Sequence, residues 1–195
     1  MRRTGLMGGT FDPVHYGHLL AAEAAREAAG LEEVWFIPAY LPPHKGNPHA
    51  DAEARMGMLK AALEGIPEFV ALDIELKRQG ISYTIDTVRA LTEAHPDRSF
   101  YWIMGSDMVK HLPRWREPEE LARRVTFIGL ERPEEPLKEE DIPEFVRGRL
   151  IRAPMPMIGI SSTDIRRRLQ EGRSVRFMMP DAVLEWIRRH GLYGS

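Results

Sequence analysis

Two histidines three positions apart, His15 and His18, stand behind a glycine pair in the run Gly8-Gly9-Thr10-Phe11-Asp12-Pro13-Val14-His15-Tyr16-Gly17-His18. Residues at i and i+3 share one face of a helix, so both imidazoles belong to the first turn of the helix expected here. Imidazole N–H groups can donate to anions. Glycines let backbone approach a ligand, and free N–H groups in a first helical turn favour negative charge. Together these suit phosphate binding at a strand-to-helix turn. A second constellation, Ile160-Ser161-Ser162-Thr163-Asp164-Ile165-Arg166, also reads as a helix start. Its hydroxyls can cap the helix and Asp164 complements the dipole. One of Arg166, Arg167 and Arg168 must follow the capped turn into the same space, and a cation beside a helix N-terminus suits a polyphosphate. The other two read as solvated surface.

The common glycine motifs are excluded. No Gly-Lys-Ser/Thr follows the first glycines, so this is not a P-loop. The glycine spacing is wrong for a dinucleotide fingerprint, and Val34-Trp35-Phe36-Ile37 runs into Pro38 where that fingerprint needs an acidic residue. Two bland readings stay open on these residues alone: a tight turn carrying surface histidines, and hydroxyls that merely cap a helix.

The elements that must position these residues alternate. Strands are predicted at Thr4 to Met7, Glu33 to Ile37, Phe69 to Ile74, Ser99 to Met104 and Val125 to Leu130, with a short one at Arg149 to Ile151. Helices are predicted from Leu19 to Ala25, Ala52 to Leu63, about Tyr83 to Ala94, Ser162 to Gln170 and Asp181 to Arg189, with Gly172 and Pro180 as punctuation. Alternation of this kind predicts an α/β fold with a Rossmann-like, open, mostly parallel sheet, helices on both faces and a small C-terminal helical segment. Pro38 to Asp51 reads as a polar loop, and Glu131 to Asp141 as a solvated acidic connection.

A chain of 195 residues suits one domain over 1–195, with its C-terminal helical part at about 161–195. The net charge of −2, with 29% charged residues, advertises neither nucleic acid nor membrane as a partner. The absence of cysteine excludes disulfides, thiolate catalysis and zinc–thiolate sites. No signal-like or membrane-spanning apolar run is present, and a cytoplasmic location is expected. Monomer and homo-oligomer are both compatible with the sequence. His44, His49, His95, His111 and His190 show no ligand spacing and read as surface or loop residues.

The motifs His15-Tyr16-Gly17-His18 and Ser161-Ser162-Thr163-Asp164-Ile165-Arg166 resemble those of the nucleotidyltransferase superfamily. The wider pattern resembles the bacterial nicotinate-nucleotide adenylyltransferase family. It includes the opening Gly8 to His15, Pro42-Pro43-His44-Lys45, Ser82-Tyr83-Thr84-Ile85-Asp86-Thr87, and Gly105-Ser106-Asp107 with Leu112 and Trp115. Ser174-Val175-Arg176, Pro180 and Leu192-Tyr193 extend it to the end of the chain. The resemblance implies adenylyl transfer from ATP to nicotinate mononucleotide, giving the dinucleotide and pyrophosphate. It further implies His15, His18 and Arg166 as catalytic residues, with His18 donating to the transferring phosphate. ATP is expected on Gly8, Gly9, Thr10, Phe11, His15, His18, Gly105, Asp107, Ser161, Ser162, Thr163 and Arg166. Within that set, Asp107 and Gly105 are expected at the ribose, and Arg166 with the Ser162–Thr163 turn at the β- and γ-phosphates.

Nicotinate mononucleotide is expected on Thr10, Lys45, Tyr83, Thr84 and Trp115. The Tyr83 and Thr84 N–H groups would receive the ring carboxylate and Trp115 would stack on the ring. Mg²⁺ is expected as an ion carried on the ATP phosphates, without a dedicated protein cage. The mononucleotide phosphate is already largely a dianion near neutral pH, because a phosphomonoester's second pKa is about 6. No general base or nucleophilic side chain is therefore required. Two rival readings are a superfamily member using nicotinamide mononucleotide or phosphopantetheine, and a non-catalytic nucleotide sensor.

Overall fold

The computed structural model describes all 195 residues. Six strands form one sheet: β1 (Arg2–Gly9), β2 (Glu33–Pro38), β3 (Phe69–Ala71), β4 (Arg98–Gly105), β5 (Thr126–Glu131) and β6 (Leu150–Pro154). Their order is β3-β2-β1-β4-β5-β6 and every pair is parallel, so the sheet is wholly rather than mostly parallel. Burial on both faces explains the near-continuous apolar strands. In β2, Val34 and Phe36 enter one core while Trp35 and Ile37 enter the other.

The first core is covered by α1 (Tyr16–Ala29), α2 (Ala52–Leu63), α7 (Ser162–Gln170) and α8 (Asp181–Arg189). The second is covered by α4 (Thr84–Ala94), the single turn α5 (Ser106–Val109) and α6 (Pro118–Arg124). Small alanines at 21, 22, 25 and 29 let α1 lie close over the sheet, and all four are buried. Val183, Leu184 and Ile187 of α8 share the first core with Met58, Leu59 and Ala62 of α2, so the C-terminal segment is packed onto the sheet's helical layer.

Three expectations about elements change. The third strand stops at Ala71, and Ile74–Arg78 forms a short helix, α3, that ends where Gln79 and Gly80 take left-handed backbone. The glycines Gly8 and Gly9 end β1 with ordinary strand backbone rather than forming a turn. A Gly8 Cβ would sit 2.9 Å from the Trp102 ring, so this glycine is required by packing. The acidic connection after β5 is partly tied down: Leu137 is buried, and Arg152 pairs with Glu131 at 2.7 Å and Glu139 at 2.9 Å.

The strand order reverses between β1 and β4. In open parallel sheets ligands bind outside the carboxyl ends of strands at such a point.

Candidate active site

At that point Thr10–Val14 links β1 to α1. Phe11 carries the turn's left-handed conformation (φ 51°) and buries its ring over Gly9 and against Phe36. The N–H groups of Thr10, Phe11 and Asp12 have no partner within the protein. The peptide before Pro13 is cis. Beneath the loop, Arg55 is 1% exposed and spends its guanidinium on three carbonyls, those of Thr10 (2.9 Å), Ala39 (2.7 Å) and Ala50 (3.2 Å). Asp12 is equally central. Its carboxylate accepts from the N–H groups of His49 (2.6 Å) and Ala50 (3.1 Å) and from the Tyr193 hydroxyl (2.5 Å). His49 Nδ1 also lies 3.5 Å from that carboxylate, so His49 is more than an isolated loop residue. Burial and the Asp12 charge both push the Tyr193 phenol upward. Sequence reasoning missed Arg55 and Asp12. A charged residue at an apolar helical position was the available signal for Arg55.

His15 caps α1. Its Nδ1 accepts from Gly17 N–H at 3.0 Å, while His18 Nδ1 accepts from His15 N–H at 3.1 Å, a reciprocal capping box. The rings stack at 3.8 Å, and Phe11 meets His18 edge-on at 5.0 Å. A Cβ on Gly17 would lie 2.8 Å from the His15 ring, which is why that position needs glycine. With both Nδ1 atoms accepting, the proton of each neutral ring sits on Nε2. Burial lowers His15 to about 4. It also holds His18 well below the ordinary imidazole value, with repulsion from a protonated His15 and from Lys45 adding to that. Both rings are therefore neutral Nε2–H donors at pH 7.

The free N–H groups expected in the first turn of α1 are not available. Tyr16 N–H bonds the Met178 carbonyl, Gly17 N–H bonds His15 Nδ1, and His18 and Leu19 N–H groups bond the His15 carbonyl. The imidazoles replace them as donors. At α7 the expectation holds: Ser161 caps Asp164 N–H at 3.1 Å, leaving the Ser162 and Thr163 N–H groups without protein partners. Ser162 Oγ donates to the Pro13 carbonyl at 2.8 Å, joining the two motifs. Arg166 donates to the Asp12 carbonyl at 2.8 Å and lies outside both cavity walls. Arg167 and Arg168 both pair with Asp164, so of the three arginines these two turn away from the motif.

Two cavities open over the turn and share Gly8 and Lys45. The first, about 450 Å³, gathers His15, His18, Gly105, Asp107 and the Ser161–Thr163 turn. The Asp107 carboxylate curls back over Gly105, filling the space a Cβ would occupy there. Arg132 and Glu135, absent from the sequence reading, also line this lobe. The second, about 560 Å³, gathers Gly9, Thr10, Tyr83, Thr84 and Trp115. Trp115 meets Trp102 edge-on at 6.4 Å, giving the lobe an aromatic wall.

At the start of α4, Tyr83 N–H bonds the Ile81 carbonyl at 3.1 Å, so it is not a free donor as expected. The unpartnered N–H groups are those of Thr84 and Ile85. Behind them sits Glu75, 4% exposed, accepting from the Thr87 hydroxyl at 2.7 Å. Burial raises its pKa, while hydrogen bonds from Thr87 and Ser82 oppose that. Glu75 was not singled out in the sequence because α3 itself was not foreseen. No three His, Asp or Glu side chains converge as a metal cage.

A family model described as cytidylyltransferase-like matches residues 6–168. A protein of Oceanobacillus iheyensis is 45% identical over 100% of this chain and 98% of its own length. One from Halalkalibacterium halodurans is 47% identical over 99% of this chain and 92% of its own. Both are named probable nicotinate-nucleotide adenylyltransferases. The fold is similar to that of the Plasmodium falciparum nicotinic acid mononucleotide adenylyltransferase complexed with NaAD. That likeness has a TM-score of 0.81 over 99% of this chain and 98% of the other, at 21% identity. The chain therefore belongs to the nicotinate-nucleotide adenylyltransferase family, within the cytidylyltransferase-like proteins.

Proposed function

We propose that residues 1–195 act as one nucleotidyltransferase domain, in the cytoplasm, moving the adenylyl group of ATP onto nicotinate mononucleotide. The observation that carries this is the pair of cavities meeting at Gly8 and Lys45 above the His15–His18 turn. One lobe has the donor set for a triphosphate and ribose; the other has an aromatic wall and a helix N-terminus for an anionic ring.

In this reading the mononucleotide phosphate attacks the α-phosphorus in line, and pyrophosphate leaves toward α7. Thr10 and Phe11 N–H groups hold the phosphates at the junction of the lobes. His18 Nε2–H, with His15 beside it, donates to oxygens whose charge rises in the transition state. Ser162 and Thr163 N–H groups hold the departing pyrophosphate, and Arg166 joins them by releasing the Asp12 carbonyl. Lys45, at the rim of both lobes, closes over the reacting phosphates. Thr84 and Ile85 N–H groups receive the ring carboxylate, where a carboxamide NH₂ would set donor against donor. Trp115 stacks on the ring, and Asp107 takes the adenosine ribose.

Mg²⁺ belongs with the phosphates in this proposal. The ATP lobe offers the separate carboxylates Asp107 and Glu135, which fits an ion held by phosphate oxygens and water. When bound, it neutralises charge on the leaving group.

Direct transfer is tested with ATP labelled at the α-phosphorus. The protein alone is expected to remain unlabelled, with label appearing in dinucleotide only after nicotinate mononucleotide is added. A labelled protein in the absence of acceptor contradicts the mechanism.

A further inference from the structure

The ring-binding lobe carries a cation whose role the reaction above does not use. Arg116 lines the cavity and lays its guanidinium over the Tyr83 ring, 4.6 Å from the centroid. It forms no ion pair. The nearby carboxylates are engaged elsewhere: Glu117 pairs with Arg89 at 2.8 Å, while Glu120 pairs with Arg89 at 2.5 Å and Arg124 at 2.9 Å. No hydrogen bond within the protein uses the Arg116 guanidinium, and its N–H groups match a carboxylate in bidentate geometry. Tyr83 is the residue immediately before the free N–H groups of Thr84 and Ile85. A positive charge is thus held beside the helix N-terminus proposed to receive the ring carboxylate.

The only carboxyl in this lobe's wall is Glu75, so an incoming ring carboxylate meets a like group at the back of the pocket. Arg114 lines the same wall without a stacking partner, and Lys45 sits at the other end, toward the phosphates.

We propose that Arg116 is a specificity-determining residue: its side chain selects an acidic over an amidated pyridine ring by pairing with the ring carboxylate. This rests on the assignment of the lobe to nicotinate mononucleotide. The selectivity has two sources, the α4 N–H groups and the Arg116 charge, and only the second is removed by changing a side chain exposed to solvent.

The test is binding of nicotinate and nicotinamide mononucleotides to the full chain, measured calorimetrically for wild type, Arg116→Gln, Arg116→Lys and Arg114→Gln. Adenylyl transfer to each is measured in parallel. Arg116→Gln is expected to weaken the acid roughly ten-fold, about 1.4 kcal/mol, while changing the amide less than about two-fold. Arg116→Lys should fall between, because it keeps charge but loses the planar fork. Equal weakening of both ligands would reduce Arg116 to a packing residue and overturn the proposal. An equal acid-specific loss in Arg114→Gln would also overturn it, since a diffuse field would then suffice. A wild type that transfers to neither acceptor would defeat the assigned reaction, yet the binding comparison would still decide whether Arg116 reads the ring carboxylate.

Discussion

Burial and a backbone N–H on each Nδ1 leave His15 and His18 as a stacked pair of neutral Nε2–H donors. A charged pair would repel at a ring separation of 3.8 Å, and the neutral pair waits for the substrate's negative charge. His18→Ala is expected to lower kcat about 10²–10³-fold with a smaller change in KM, the usual loss for one transition-state donor. Near-normal turnover would remove His18 from the chemistry. The same burial couples the site to acid stability. An unfolded His15 binds its proton near pH 6.5, whereas the folded one does so only near pH 4. Between those values the unfolded chain holds the extra proton, so stability falls as pH falls through that window. The loss from His15 alone is on the order of 3 kcal/mol by pH 4. Urea melts of wild type and His15→Asn across pH 4 to 7 should show a shallower acid slope in the variant. Parallel slopes would mean that the His15 proton is not linked to folding.

Helix starts matter more than glycines at the scale of the elements. Among α1, α4 and α7, which all begin at the cleft, α1 spends its first N–H groups on its own cap and on the Met178 carbonyl, while α4 and α7 keep two each. Thr84→Pro isolates this effect. Proline is tolerated at the first position of a helix, and extended Tyr83 (φ −77°, ψ 129°) already suits a following proline. The fold should survive, with thermal unfolding close to that of Thr84→Ala, while one donor is lost. Relative to Thr84→Ala, KM for nicotinate mononucleotide is expected to rise about 10- to 100-fold, matching the roughly 1.5–3 kcal/mol of a hydrogen bond to a charged group. An unchanged KM would move the ring carboxylate off α4. Much of this was legible in the chain: Ser161-Ser162-Thr163 announces the α7 start, and Tyr83-Thr84-Ile85-Asp86 announces α4. What was not legible is which N–H groups stay free. Tyr83 N–H goes to Ile81 through a local turn, and Tyr16 N–H goes to Met178, which is distant in sequence. Periodicity carries no trace of either partner. The short α3 escaped because five residues are too few to show a helical period against the apolar run of β3.

For the molecule as a whole, strand alternation and the phosphate motifs pointed to a parallel sheet, and the order β3-β2-β1-β4-β5-β6 places the reversal under Gly8 and Gly105. The long-range ties that hold the cleft were not readable. Asp12 draws together the turn after β1, the end of the Pro-rich loop at His49 and Ala50, and the C-terminal Tyr193. Arg55, from α2, fixes the same loop from beneath. These contacts join positions up to 181 residues apart, and a single sequence shows only residue types at each. They tie the turn after β1 to the Pro-rich loop and to Tyr193, beside the lobes in which the two substrates are proposed to present one phosphate to the other. Acceptor-dependent pyrophosphate release from ATP and Mg²⁺ reads out that presentation. The acceptors compared are nicotinate mononucleotide, nicotinamide mononucleotide and phosphopantetheine. Release should be fast with the nicotinate compound, much slower with its amide, and absent with phosphopantetheine or with no acceptor. Equal or greater release with either of the other acceptors, or none with any, would contradict it.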